Sequence, residues 1–390
     1  MFKAIEIAND IHWVGALEWN ERYIHGFSMP KGSTNNAYLI MDEKITLIDT
    51  CMGGLSKELI ERISDVVDPA DISYIVSNHS EKDHAGAISS LIEVAPNAAI
   101  VTSMPKGLAI LKKYYGEDRE FIPVKSGDVL NIGKRDLAFV HTPMVHWPDN
   151  MVTYSPTDKI LFSNDAFGQF IATSKRFDDE VDVAEIYRFA KKYFANIVAP
   201  FKKQTLRALD AVDSLDIDMI APSHGIIWRS HVNDIVKLYR TWCANEPTDS
   251  AVVVYSTMYG STKRLAQAAC EAFIQKGIDV RLYDLDISDI SDIMTDVMDA
   301  KYLAVGSPTH NNTVLPPMGQ FLTYLKGLAP KGRTGIAFGS YGWAATGAKE
   351  ITETLQKAGY DTPLDAFTCE WNTDKSDENA LYDQISALVS

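Results

Sequence analysis

The sequence predicts two α/β domains, a set of stacked sheets flanked by helices followed by a doubly wound, five-stranded parallel sheet. A chain of 390 residues is too long for one ordinary core, and 46% of its residues are apolar. The last third alternates apolar strands with amphipathic helices, whereas the part before it does not. A polar stretch containing a proline, residues 245–250, separates the two patterns. We therefore predict domains at residues 1–248 and 249–390.

Short runs rich in β-branched and aromatic residues dominate the first domain. Helical periodicity interrupts them only occasionally, as in residues 56–66 and 233–242. The predicted strands are 37–40, 45–48, 72–76, 99–101, 137–140, 159–162 and 219–221.

The second domain has a regular rhythm in which every strand is followed by a helix. Such alternation is typical of a parallel sheet with helices on both faces. The predicted strands are 251–256, 279–284, 302–307, 334–339 and 365–369, and the helices are 263–276, 289–299, 317–327, 346–358 and 377–389.

Composition excludes several classes of partner. The net charge of −15 repels polyanions, and no Lys/Arg-rich run reverses its sign, so we expect neither nucleic acid nor an anionic membrane as a partner. The four cysteines are scattered and form no CxxC pair, which argues against a zinc ribbon, an iron–sulfur cluster or a disulfide framework. The N-terminus carries no signal peptide pattern, and no apolar run is long enough for a membrane span. We expect a soluble, cytoplasmic protein.

A cluster of candidate metal ligands directly follows the strand at 72–76. His79, Glu81, Asp83 and His84 lie within six positions in the segment SNHSEKDH. An irregular loop leaving a strand lets several such side chains converge on one point. The alternative is a solvated, charged loop.

Three later positions repeat this placement at the ends of apolar strands. They are His146, Asp165 and His224. Each alone is more often a satisfied histidine or a turn aspartate, but four strand ends that deliver His, Asp or Glu indicate one shared site.

A hydroxyl-rich loop connects the first strand of the second domain to its helix. The backbone N–H groups of such a loop, with the helix N-terminus behind them, can hold a phosphate, although the same hydroxyls also serve simply as helix caps. The loop is neither a Walker motif nor GxGxxG, and it resembles the flavodoxin phosphate loop. Its residues are Ser256, Thr257, Met258, Tyr259, Gly260, Ser261 and Thr262.

Two further loops follow the third and fourth strands, at the edge where doubly wound sheets bind ligands. The resemblance to flavodoxin implies FMN, with Tyr341 and Trp343 covering or edging the flavin ring and the backbone of residues 309–312 bonding its polar rim. The candidate residues are Pro308, Thr309, His310, Asn311 and Asn312, and Ser340, Tyr341, Gly342 and Trp343.

The series HxExDH…H…D…H resembles the metallo-β-lactamase superfamily with Glu81 in place of its middle histidine, which is the pattern of the flavodiiron proteins. A carboxylate at this position suits iron better than zinc. The resemblance implies a metallo-β-lactamase-like αββα sandwich fused to a flavodoxin-like domain. It also implies one iron at His79, Glu81 and His146, another at Asp83, His84 and His224, and Asp165 as the bridge.

The resemblance further implies reduction of O2 to water, of NO to N2O, or of both, with electrons delivered through FMN. His25 and Tyr193 resemble residues that line the family's substrate pocket. The chain ends where the flavodoxin-like domain should end, so we expect a separate electron donor, such as rubredoxin or a reduced cofactor. We also expect a head-to-tail homodimer, or a dimer of such dimers. Two alternatives remain, a zinc hydrolase with a flavodoxin-like appendage and a non-catalytic electron-transfer flavoprotein.

Overall fold

The computed structural model describes residues 1–389 and divides the chain into two compact units. The first comprises Met1–Ile24 and Met29–Cys243, and the second comprises His25–Ser28 and the chain from Ala244 onward. The domain boundary at residues 248 and 249 stays a prediction.

The strands as far as residue 222 include every one predicted from the sequence, and they are more numerous. They are β1 Ile5–Ala8, β2 Ile11–Trp13, β3 Ala16–Glu18, β4 Tyr23–Ile24, β5 Phe27–Ser28, β6 Ser33–Asn35, β7 Tyr38–Ile40, β8 Thr46–Ile48, β9 Tyr74–Ser77, β10 Ala99–Ser103, β11 Phe121–Val124, β12 Val129–Asn131, β13 Asp136–His141, β14 Met151–Ser155, β15 Ile160–Asn164 and β16 Met219–Pro222.

The first unit contains two main sheets. One has the order β1-β2-β7-β8-β9-β10-β11 and the other β12-β13-β14-β15-β16. In the second sheet β14 is antiparallel to β13 and to β15, and β16 is parallel to β15. The strands β13, β15 and β16 therefore run in the same direction, and their carboxyl ends share one edge.

Successive side chains of β7 face opposite sides of its sheet and belong to two different cores. Tyr38 joins the core between the two sheets, where its ring lies 5.3 Å from that of Phe162. Leu39 points the other way and belongs to a cluster that includes Leu59. This period of two is the geometry of a strand, and each large apolar side chain so buried contributes about 1.5–3 kcal/mol.

Helices cover these sheets more extensively than the sequence predicts. They are α1 Ser56–Ser64, α2 Lys82–Ala85, α3 Ile88–Val94, α4 Lys106–Tyr115, α5 Val183–Tyr193, α6 Lys202–Val212 and α7 Val232–Ala244. A π-helical turn, Phe194–Val198, directly follows α5. The predicted arrangement of stacked sheets flanked by helices is confirmed.

The second unit contains the predicted five-stranded parallel sheet. Its strands are β17 Thr248–Tyr255, β18 Asp279–Asp284, β19 Ala300–Gly306, β20 Thr334–Tyr341 and β21 Phe367–Glu370. Their order is β18-β17-β19-β20-β21, with every neighbouring pair parallel. The order reverses between β17 and β19, which is the switch point of a doubly wound sheet.

Helices lie on both faces of this sheet. Val252 and Val254 face one core cluster, whereas Val253 faces the other, so β17 is apolar on both sides, as a buried parallel strand must be. The helices are α8 Ser261–Gln275, α9 Ile290–Val297, α10 Pro316–Leu328, α11 Thr346–Ala358 and α12 Lys375–Leu388. Within residues 1–389, every helix is too short or too polar to span a bilayer.

Candidate metal centre and cofactor loops

Four strand ends of the first unit deliver the seven predicted metal ligands. The loop after β9 carries His79 and Glu81 and continues into the short helix α2. The other three loops follow β13, β15 and β16 and carry His146, Asp165 and His224.

The first group of potential ligands consists of His79, Glu81, His146 and Asp165. One ligand atom from each lies within 4.8 Å of the others. Glu81 Oε2 is 3.2 Å from His79 Nε2 and 3.3 Å from His146 Nε2. Asp165 Oδ2 lies 3.7 Å from the first of these nitrogens and 3.6 Å from the second.

The second group consists of Asp83, His84 and His224. The two carboxylate oxygens of Asp83 lie 3.2 Å from His84 Nε2 and 3.3 Å from His224 Nε2. Asp165 reaches this group too, through its other oxygen, because Oδ1 is 3.0 Å from His84 Nε2 and 3.7 Å from His224 Nε2. Asp165 thus turns one oxygen toward each group.

Most of the predicted cofactor-binding residues of the second unit line one cavity of about 260 Å³. The cavity lies at the carboxyl ends of β17, β19 and β20, where the sequence placed it. Ser256, Gly260 and Thr262 are the predicted residues outside the lining, and they lie in the hydroxyl-rich loop whose other residues border the cavity. Gly260 has φ +94°, a conformation that side chains rarely adopt, and its N–H donates to Thr257 Oγ1 at 3.1 Å.

Exposed aromatic rings border this cavity. The exposed fractions of Tyr259, Trp343 and Trp371 are 93%, 84% and 66%. The two tryptophan rings lie 6.3 Å apart. Large exposed rings around an open cavity favour a flat, aromatic ligand.

Comparison with known proteins shows where this combination of sites occurs. The ODP family beta lactamase model matches residues 33–225, and the flavodoxin model matches residues 253–384. The nitric oxide reductase of Moorella thermoacetica is 43% identical over 363 residues, which cover 92% of this chain and 90% of that protein. The chain belongs to the flavodiiron protein family.

Two further relatives agree. The rubredoxin-oxygen oxidoreductase of Megalodesulfovibrio gigas is 40% identical over 366 residues, 93% of this chain and 91% of that protein. The crystal structure of the flavodiiron protein from Giardia intestinalis matches with a TM-score of 0.96 and 33% identity, covering 100% of this chain and 96% of that one. The predicted fold class, a β-lactamase-like domain followed by a flavodoxin-like domain, is therefore confirmed.

Orphaned polar atoms show that the pocket of this flavodiiron protein fits metal ions. Asp83 Oδ1, His84 Nε2, Asp165 Oδ2 and His224 Nε2 are buried, and none of them has a hydrogen-bond partner. Buried polar atoms are normally satisfied, so a concentration of exceptions in one pocket needs a ligand to explain it. Mixed imidazole and carboxylate donors suit an ion such as iron, manganese or zinc.

The electrostatics of the pocket also favour a cation. Burial opposes protonation of His79, but hydrogen bonds to Asp149 and Glu81 outweigh it and raise the pKa of the imidazole to about 9. Burial would raise the pKa of Glu81, yet hydrogen bonds from His146 and His79 lower it to about 2. Carboxylates therefore stay ionised here, and their field stabilises positive charge.

The phosphate loop passes a similar test for a cofactor phosphate. Ser256 is fully buried, and its Oγ has no hydrogen-bond partner. The N-terminus of α8 begins five residues later, where its first N–H groups lack intrahelical acceptors. A hydroxyl and a helix N-terminus supply neutral O–H and N–H donors, and the oxygens of a phosphate dianion accept hydrogen bonds from them.

The two residues predicted to line the substrate pocket, Tyr193 and His25, lie in different environments. Tyr193 is buried, and its hydroxyl donates to Asp165 Oδ1 at 2.8 Å. Burial and then the charge of Asp165 raise the pKa of this phenol well above its usual value, so it stays a donor. His25 is exposed with φ +51° and belongs to the second unit, so its role stays a prediction.

Several positioning residues lie outside the sequence-based set. Asp149 Oδ2 is 3.0 Å from His79 Nδ1, and the carbonyl oxygen of Thr34 is 2.7 Å from His224 Nδ1. Trp371, which follows the fifth strand, borders the cofactor cavity. Its position could have identified Trp371 from the sequence, because it follows a strand of the parallel sheet, as the other candidate cofactor loops do.

Asn78 holds the ligand-bearing loop in place. Its N–H and Nδ2 donate to the two carboxylate oxygens of Asp49, at 2.8 and 3.0 Å. Its own oxygens accept from Met151 N at 3.0 Å and from Thr153 Oγ1 at 2.7 Å. The residue before His79 is therefore fixed by four bonds to side chains and backbone that are not candidate ligands.

Proposed function

We propose that this chain is an iron–flavin oxidoreductase that reduces O2 to water, NO to N2O, or both. The observation that carries the proposal is the position of Asp165, which turns one carboxylate oxygen toward each of two potential ligand groups. A carboxylate so placed can hold two ions close together. The rest of the chain supplies a flavodoxin domain, and FMN is the cofactor that such a domain implies.

Iron is the metal that the ligand set supports. Each group contributes one terminal carboxylate, Glu81 or Asp83, and both share Asp165. Hard, anionic oxygen ligands stabilise the ferric state of an iron that cycles between ferrous and ferric forms, and Glu81 adds one where the zinc-binding pattern has a neutral histidine. When bound, the iron pair and FMN together supply the electrons that complete reduction of the gas requires.

The open side of the pocket indicates where a small gas enters. The side chains of Glu81 and His146 are each 20% exposed, whereas that of His84 is 1% exposed and that of Asp165 is 2% exposed. On the buried side, Tyr193 keeps its proton and bonds Asp165, which fixes the orientation of that carboxylate. The pocket is thus open to solvent beside Glu81 and His146 and buried beside Asp165 and Tyr193.

The names of the relatives support both substrates. One relative is called a nitric oxide reductase and another a rubredoxin-oxygen oxidoreductase. We propose a rubredoxin-type protein, or a reduced cofactor, as the electron donor of this chain.

The decisive experiment follows the chemically reduced protein in an anaerobic cuvette to which O2 or NO is added. We expect one FMN and a pair of iron ions per chain, and rapid reoxidation of the flavin by at least one gas. The metal-free protein is the control. Zinc in protein from iron-replete medium supports the hydrolase alternative. No metal, or reoxidation at the metal-free rate, supports an electron-transfer flavoprotein.

We further propose a head-to-tail homodimer in which the FMN of one chain serves the metal centre of its neighbour. Support comes from the short connection between α7, which ends at Ala244, and β17, which begins at Thr248. A two-fold pair supplies each contact twice.

Mixed dimers test this arrangement. Chains of Asp165→Ala and Gly260→Asp are dissociated, mixed and reassociated, and gas reduction is measured. Each mixed dimer should regain one working site, because the Asp165→Ala chain lends its flavin to the intact ligands of its neighbour. Mixed dimers as inactive as either parent would show that electrons move within one chain.

A further inference from the structure

The imidazole of His79 is held from outside the pocket by a buried carboxylate. Asp149 lies in the loop between β13 and β14, three residues after His146, and its side chain is fully buried. Its Oδ2 accepts the N–H of Ser80 at 2.7 Å and lies 3.0 Å from His79 Nδ1. A carboxylate that accepts a backbone N–H has only lone pairs to offer, so His79 Nδ1 is the donor. In the neutral imidazole that a metal ion requires, the lone pair is then on Nε2, the atom that faces the first ligand group.

The corresponding histidine of the second group has a weaker partner. His224 Nδ1 donates to the backbone carbonyl of Thr34 at 2.7 Å, which fixes the same tautomer but carries no net charge. Within residues 1–389, His79 is the only one of the four candidate ligand histidines whose Nδ1 bonds a carboxylate. The two groups are alike in their inner ligands. The buried carboxylate of Asp49 acts on His84 of the second group through its charge, so what distinguishes the first group is the direct bond from His79 Nδ1 to a carboxylate.

The difference has a direct effect on metal binding. A carboxylate draws the Nδ1 proton toward itself and so increases the electron density at Nε2, which makes the imidazole a stronger donor. Because Asp149 is excluded from water, its negative charge is poorly screened where the first group would bind a metal ion. A neutral carbonyl supplies neither effect to the same extent.

We propose that Asp149 makes the two metal positions unequal. The position formed by His79, Glu81, His146 and Asp165 binds its ion more tightly than the position formed by Asp83, His84 and His224, and it fills first. Asp149 acts through His79 and is a positioning residue. The inference rests on the proposed function only in requiring that both groups bind a metal ion.

The test is a titration of metal-free protein with cobalt(II), followed by its visible absorption. Wild-type protein should bind two ions in unequal steps. In Asp149→Asn the neutral amide oxygen can still accept the Ser80 and His79 protons, so geometry is kept and charge is removed. We expect one of the two ions to bind about 10- to 100-fold more weakly, while the other ion and FMN are unaffected.

Double variants locate the effect. With Asp83→Ala, which disables the second group, adding Asp149→Asn should weaken the remaining ion by the same factor. With Glu81→Ala, which disables the first group, adding Asp149→Asn should change nothing. Equal weakening of both ions would show a general structural role, and unchanged binding would show no role. Either result overturns the inference.

A measurement without any substitution at Asp149 covers the case in which the variant does not fold. In wild-type protein titrated with cobalt(II), the first equivalent should shift the NMR signals of the His79 and His146 rings before those of the His84 and His224 rings, because the first position fills first. Simultaneous shifts of all four rings would overturn the inference. Unequal binding in a protein that reduces neither gas would refute the proposed function and leave this inference standing.

Discussion

The candidate metal pocket and the candidate cofactor cavity are built in opposite ways. The pocket is built from side chains, most of them almost completely buried, and Glu81 and His146 lie at its opening with 20% of each side chain exposed. The cavity is open and bordered by rings such as Tyr259 and Trp343, which are 93% and 84% exposed. The candidate phosphate loop offers neutral donors from Ser256 and the start of α8.

The difference is the one expected if the pocket binds a cation and the cavity binds a phosphate. A bare cation must be surrounded by several anionic or lone-pair donors at fixed distances, and only side chains on converging loops provide them. A phosphate dianion is satisfied by N–H dipoles, which the backbone supplies wherever a helix begins. The pocket should therefore respond sharply to single substitutions, and the cavity to changes of backbone or charge more than of individual side chains.

The largest effect is expected from Asp165→Ala. Removing the carboxylate that faces both groups should abolish retention of both metal ions and all gas reduction, while FMN stays bound. Metal analysis, flavin absorbance and turnover measure the three properties. Asp218→Ala, which removes an exposed carboxylate, is the matched control. Loss of FMN in Asp165→Ala would mean that the two sites are not independent.

Gly260→Asp should remove FMN and leave the metal ions in place. The substitution adds a negative charge at the start of α8 beside the phosphate position, in a left-handed conformation. Gly260→Asn is the matched control, because asparagine tolerates this conformation and carries no charge. Equal FMN loss in both variants would attribute the effect to backbone strain rather than to charge.

Glu81→His tests how far the pocket depends on an anionic ligand. We expect weaker gas reduction with FMN retained, because a neutral imidazole replaces a carboxylate in one group only. Metal analysis should show zinc gaining on iron. Glu81→Gln separates loss of charge from the change of ligand type. Undiminished turnover in Glu81→His would refute the argument that this residue selects for redox chemistry.

The smallest effect is expected from Trp371→Ala. One ring at the edge of an open cavity should contribute about 0.5–1.5 kcal/mol to flavin binding, which is a factor of about 2 to 13 in affinity. Fluorescence titration of the flavin-free protein measures it. Trp19→Ala removes an exposed ring of the first unit and should have no effect. A complete loss of FMN would mean that the cavity, too, depends on single side chains.

The sequence predicted the features that have a local signature. Buried parallel strands are apolar runs, and clustered ligands such as His79 and Glu81 stand out directly after one of them. The strand β14 lacks that signature, because Thr153 and Ser155 are buried and satisfied by side-chain partners rather than being apolar. Its existence depends on neighbours that are distant in sequence.

The outer partners of the ligands were missed for the same reason. Asp149 and Thr34 are single polar residues in ordinary loops, and only folding brings them to His79 and His224. The π-helical turn Phe194–Val198 was missed together with α5, the helix that it follows. Long-range contacts bring the outer partners to the histidines, and a single sequence does not display such contacts.

The bonds around Asn78 have a consequence for how the protein is assembled. They tie the loop before His79 to Asp49 and to β14 without using a candidate ligand. The loop therefore keeps its shape through ordinary hydrogen bonds, unlike a zinc finger, whose fold depends on its ion. A metal ion can therefore be bound as the last step of maturation, after the chain has folded.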